Sequence, residues 1–82
     1  MSRQEILEQM QEVFRETLNQ EELILQEETL GEDIEDWDSF AQISVFAALE
    51  QQFGVEFSME EMMEFSTIGK LADVIEMRMT ER

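Results

Sequence analysis

Apolar residues recur at Ile6, Leu7, Met10, Val13, Phe14 and Leu18, with polar residues between them. Steps of three and four keep these groups on one side of a 3.6-residue helix, so the pattern predicts a first helix over residues 2–18. Ser2 and Glu5 have the spacing of a capping box at its start. From Asn19 to Asp38 the periodicity disappears, although Leu23, Ile24, Leu25, Leu30, Ile34 and Trp37 offer anchors to the helices. This segment reads as a long anchored loop. Unstructured connections beyond roughly 12–15 residues are uncommon in compact domains unless they are functional, which draws attention to what the loop delivers, Asp38 and Ser39. The apolar pattern then resumes and predicts a second helix from Ser39 to Phe53, with Ile43, Phe46, Leu49 and Phe53 as its inner face and Gly54 as its stop. A short third helix is expected from Ser58, with Glu61 completing a second capping box and Met59, Met62 and Met63 filling the core. A last helix starting near Thr67 carries Ile68, Leu71, Ala72, Ile75 and Met79 inward. There is no proline, no period-2 strand, no internal repeat and no Pro- or Ser-rich linker. The expected fold is all-α: a small four-helix bundle, three main helices plus a short third, with a long loop between helices one and two. Residues 1–82 form one domain.

Composition narrows the function. A chain of 82 residues buries only about 60% of its unfolded surface, which leaves little interior for an elaborate active site. It has no His and no Cys, hence no side chain that titrates near neutrality unperturbed and no thiol nucleophile. These features argue against an enzyme. The absence of Cys, of an apolar signal-peptide core and of any apolar run near 18 residues points to a soluble cytoplasmic protein without membrane insertion, expected to act as a monomer. The formal charge of −16, from 21 acidic and 5 basic residues, works against nucleic acid as a partner and favours basic protein surfaces. Acidity this strong can accompany disorder, but 43% of the residues are hydrophobic, among them six Phe and one Trp, enough for a folded core. Residues 21–38 hold nine acids and no base. Glu32, Asp33, Glu35, Asp36 and Asp38 read equally well as a solvated loop or as a docking surface. Asp36 and Asp38 have alternate spacing, but the glycine and terminal glutamate of an EF-hand loop are out of register, so no metal site is expected.

The junction at Ser39 permits two readings. Ser39 and Gln42 fit a capping box, and a serine at a helix start ordinarily serves as a cap. In that case the chain would be a non-covalent acidic helical adaptor or mimic. However, the order of an amphipathic helix, a long acidic loop, "DSF" opening helix two, "ALEQQFGVEF", a short helix and "STIGKLADVI" resembles the acyl carrier proteins over essentially the whole chain. The resemblance implies that Ser39 is the attachment point of 4′-phosphopantetheine, donated by coenzyme A, with Asp38 as the preceding acid. It also implies a phosphopantetheinyl transferase as a partner, together with acyl-loading and acyl-processing enzymes with basic docking surfaces. The function implied is to hold acyl or related intermediates as thioesters for fatty acid, lipid or polyketide-type biosynthesis. The residues suit this chemistry. A helix start offers free N–H groups and the positive end of the macrodipole to a phosphodiester. A chain without cysteine cannot form a thioester with its own side chains, so the arm would supply the missing thiol. Ser39 would be a tether, because no His or Lys base stands near it in sequence to make it a nucleophile.

Two departures from the family pattern point to a specialised stand-alone member. Phe40 replaces the usual leucine, and Ser44 stands where carriers of fatty acid synthesis commonly have glutamate. Glu50 is the only acid between Phe40 and Phe53. Charge has thus moved from helix two into the loop, where Asp33, Glu35 and Asp36 would steer a partner. Phe40 and Ala47 would then provide an apolar patch to hold it.

Overall fold

The computed structural model describes residues 1–80 and contains four α-helices: α1 (Arg3–Leu18), α2 (Ser39–Phe53), α3 (Met59–Met63) and α4 (Ile68–Thr80). A single 3₁₀ turn spans Gly31–Asp33 in the loop after α1. Among the described residues the only β pairing is an isolated antiparallel bridge between Leu30 and Thr67. The helices start and stop where side-chain chemistry allows. Ser2 and Glu5 form the expected capping box on α1, and Ser58 and Glu61 form the one on α3. Gly54, at φ 65°, ends α2 in the left-handed conformation that glycine adopts without steric cost.

The core is shared by the three long helices and the connections between them. α1 contributes Ile6, Met10, Val13 and Phe14, and α4 contributes Ile68, Leu71, Ala72 and Ile75. On both, the buried stripe follows the predicted phase. α2 differs. It buries Ala41, Val45, Phe46, Leu49 and Phe53, whereas Ile43 is 64% exposed instead of facing inward. In a helix, a residue two positions from both Ala41 and Val45 lies about 160° away from each, so Ile43 cannot share their face. The pattern misleads because α2 is apolar nearly all round, and small Ala41 and Val45 compete poorly with Ile43 in a reading by hydrophobicity.

The loop between α1 and α2 is tied down along its length. Arg15 Nε donates to Leu23 O, and Leu25 N donates to Gln11 Oε1. Backbone bonds from Gly69 N to Glu27 O and from Ile68 N to Thr29 O fasten it to the start of α4. Arg3 clasps the same region, donating to Glu27, Asp73 and the carbonyl of Gly69. Leu25 and Ile34 are buried and Leu23 and Trp37 are partly buried, but Ile24 is 66% exposed and anchors nothing. At Gly31 an added Cβ would lie 2.9 Å from the Phe65 ring and 3.0 Å from Trp37 Nε1, so loop and ring pack too closely here for a side chain.

α3 has no buried residue. Met59 and Met63 are exposed and Met62 is only partly buried, so these methionines are mainly surface groups rather than core filler. Steps of three and four put residues 59, 62 and 63 on one side of the helix, but only Met62 packs against the core there. Polar ties hold it instead. Gln42 Nε2 donates to Met62 O, while Arg78 pairs with Glu61 and donates to Glu56 O.

Candidate functional site

The site grows from the way α2 begins. Asp38 is the N-cap: its backbone is extended and its carboxylate accepts the Ala41 N–H at 2.7 Å. The first helical carbonyl bond, from Gln42 N to Asp38 O, is 2.9 Å long. Ser39 is therefore already inside the helix, and its hydroxyl does not cap. Ser39 is exposed, and among the described residues no group hydrogen-bonds its hydroxyl. The Ser39 and Phe40 N–H groups are likewise unpaired among the described residues, so two donors and the positive end of a 15-residue helix lie beside a free hydroxyl.

Trp37 fixes this junction from the loop side. Its ring stacks on Phe14 with centroids 5.8 Å apart and meets Phe65 edge-on at 5.7 Å. Phe65 in turn packs edge-on against Phe46 of α2. The residue two before Ser39 is thus held by α1 and the α3–α4 connection, and through Phe65 it is linked to α2. Asp36 precedes it in the left-handed region at φ 61°, a conformation that aspartate tolerates better than most residues.

The other predicted site residues are distributed around this point. Phe40 is 79% exposed and Ala47 is exposed on α2; Ile43, three positions after Phe40 and four before Ala47, extends them into one outward stripe. Sequence reasoning misses Ile43 because the apolar pattern places it in the core. Glu50, the one acid of α2, turns its carboxylate to accept Phe57 N–H at 2.9 Å. From Ser39 through Leu49 α2 carries no charge, so its outer face next to Ser39 presents hydroxyl, amide and apolar side chains only. In the loop, Glu35 and Asp36 are exposed, and Asp33 is exposed although its carboxylate also accepts Leu30 N–H in the 3₁₀ turn. Among the described residues no Lys or Arg hydrogen-bonds Ser39, and Arg3, Arg15 and Arg78 are engaged elsewhere.

Residues 4–75 match the family model described as the phosphopantetheine attachment site. The chain is also 31% identical over 77 residues to an acyl carrier protein of Coprothermobacter proteolyticus, with 93% of each chain covered. The chain belongs to the acyl carrier protein family. The solved solution structure of a holo acyl carrier protein from Geobacter metallireducens superimposes with a TM-score of 0.85 at 25% identity, covering 93% of this chain and 87% of that one. The expected bundle is thus the fold of the acyl carrier proteins, and 4′-phosphopantetheine is the cofactor of the matched domain. Members of this family are carriers rather than catalysts. Among the described residues no helix is long and apolar enough to cross a membrane, and no cluster of three or more His, Cys, Asp or Glu could hold a metal ion.

Proposed function

We propose that this carrier bears 4′-phosphopantetheine on Ser39, holds acyl or related intermediates on it, and presents them to enzymes of fatty acid, lipid or polyketide-type biosynthesis in the cytoplasm as a monomer. The observation that carries this reading is the free, exposed hydroxyl of Ser39 beside a cap supplied by Asp38. Capping does not account for the serine, which weakens the adaptor alternative. When bound, the group supplies the thiol that the sequence lacks, and with it thioester chemistry. The chain's own residues do the holding. Ser39 and Phe40 N–H groups lie beside the site of the phosphodiester, and the helix dipole favours its charge. The chain itself acts as a carrier and not as a catalyst, since it has no His and no Lys hydrogen-bonded to Ser39 to serve as its base. A phosphopantetheinyl transferase would bring the group from coenzyme A. Partner enzymes would be steered by Asp33, Glu35 and Asp36 and held on Phe40 and Ala47.

Intact-mass spectrometry tests the assignment. Incubation with coenzyme A and a phosphopantetheinyl transferase should convert the chain to a single heavier species, and Ser39→Ala should abolish the gain. Because Asp38 caps the helix, Ser39→Ala should change stability by no more than about 0.5 kcal/mol, as for an ordinary surface substitution. A wild-type chain that several transferases leave unmodified, or a mass gain that survives Ser39→Ala, would refute the assignment.

A further inference from the structure

Lys70 is the only lysine of the chain, and the fold gives it no structural task. Among the described residues Arg3, Arg15 and Arg78 each bind another segment, whereas the Lys70 ammonium meets no carboxylate and no carbonyl. Lys70 is exposed and stands in the first turn of α4, where the helix dipole favours anions, so it does not serve the helix either. Its backbone is fixed, with Lys70 N donating to Thr67 Oγ1 at 3.2 Å and Leu71 N to Thr67 O at 3.1 Å. A free amine on a flexible stem thus swings from a fixed point.

That point lies on the flank of the molecule that carries Ser39. Phe65 and Ser66 wall two adjoining hollows. The one of about 320 Å³ has Gln42 in its wall, and Gln42 shares a face of α2 with Ser39, three residues earlier. The other, of about 130 Å³, has Lys70 in its wall. Only the α3–α4 connection therefore separates the serine from the amine. A phosphate followed by pantothenate and cysteamine units is long relative to a molecule with extents of 33 × 25 × 22 Å, so a thioester at its end sweeps this flank.

We propose that Lys70 is an acyl-acceptor site, which takes the acyl group from a thioester held on Ser39 when no partner enzyme collects it; the inference rests on the arm being attached at Ser39. The Lys70 ammonium first gives a proton to water. Its neutral Nζ then attacks the thioester carbonyl carbon, the C–N bond forms as the C–S bond breaks, and the sulfur leaves as the thiol with the second proton of the amine. The products are an amide on Lys70 and an empty arm, and no oxidant, reductant or further cofactor is consumed. Tethering favours this step, because both groups belong to one molecule and meet at a high local concentration. An amide is more stable than a thioester, so the capture is a single event. It also removes one positive charge from a chain whose formal charge is −16.

The test uses the full chain, loaded from hexanoyl-coenzyme A by a phosphopantetheinyl transferase, freed of excess reagent and incubated. Hydroxylamine then strips thioesters and leaves amides. Mass spectrometry should find a growing fraction that keeps the hexanoyl group, mapped by fragmentation to Lys70 and formed at a rate independent of protein concentration. Lys70→Arg should load to the same extent but keep no hexanoyl group after hydroxylamine, and Ser39→Ala mixed with hexanoyl-coenzyme A should form no amide. Complete loading followed by total loss of the hexanoyl group to hydroxylamine would overturn the acceptor and leave the attachment at Ser39 intact. An amide on the Met1 amine instead, a rate proportional to protein concentration, or an equal yield of amide from Ser39→Ala would overturn it as well. A chain that takes no mass from the transferase would instead overturn the attachment, and the acceptor with it.

Discussion

Asp38 and Ser39 are both good N-cap residues, and both have a partner three positions on, Ala41 for one and Gln42 for the other. Sequence alone locates this junction but does not divide the roles, because serine and aspartate cap equally well and each has an N–H three residues on to accept. Backbone geometry makes the division: Asp38 is extended and caps, which frees the hydroxyl of Ser39. Removing the cap should therefore be costly and removing the serine should not. Asp38→Ala is expected to lose about 1 kcal/mol, which for a domain of this size corresponds to a melting temperature lower by roughly 4–8 °C. Asp38→Ser should recover most of that loss, since serine caps nearly as well. Thermal unfolding followed by circular dichroism checks both, and equal melting temperatures for Asp38→Ala and the wild type would show that the cap carries no stability.

The same contrast between chemistry and geometry separates the elements. α1 and α4 are legible because each has one apolar stripe and a polar remainder, so a 3.6-residue period fixes which face turns inward. The face of α2 is not, because outward Phe40, Ile43 and Ala47 are as apolar as inward Ala41 and Val45. α3 is found from its capping box, but its exposure is not foreseen, since methionine fills a core or lies on a surface with equal chemical ease. With nothing buried, α3 depends on polar ties whose strength varies with pH. The Glu61 carboxyl is held below the usual carboxylate range, first by the Ser58 N–H that it accepts and then by the Arg78 charge. A depressed value in the folded state means that ionised Glu61 contributes stability above the ordinary glutamate pKa of about 4.3, and that this contribution is lost as the pH falls through the lower folded value. Acidification below about 4.3 should thus open α3 before α2. Amide exchange should accelerate over residues 59–64 while the core amides of α2 stay protected, and Glu61→Gln should show less of this acid dependence. Acceleration of both helices together would mean that α3 has no independent opening.

At the scale of the whole molecule, three of the few cations act as fasteners between segments. Of five basic residues, Arg3 binds the loop to α4, Arg15 binds the loop to α1, and Arg78 binds α3 to α4. Little positive charge is left to interrupt an exterior that accounts for a formal charge of −16. This organisation is only partly visible in the sequence, where the charge balance is plain but Arg3 and Arg78 find their partners far along the chain. It bears on how a carrier meets its enzymes. Long-range attraction accelerates encounter with a basic surface, and screening shortens its reach to about 8 Å at physiological ionic strength. Short-range apolar contact does little until the surfaces touch, and then it slows separation. The loop holds the acids Asp33, Glu35 and Asp36, while the stripe of Phe40, Ile43 and Ala47 on α2 is uncharged, so charge and apolar surface fall on separate segments that substitution can address one at a time. Changing the three acids to Asn, Gln and Asn should lower the association rate with a phosphopantetheinyl transferase and flatten its dependence on salt, with the dissociation rate little changed. Phe40→Ala or Ile43→Ala should do the reverse, raising the dissociation rate and leaving the salt dependence intact. Stopped-flow binding at two ionic strengths distinguishes the two. If the triple substitution leaves the association rate unchanged, the loop acids are solvated charge without a part in steering, and recognition rests on the apolar stripe alone.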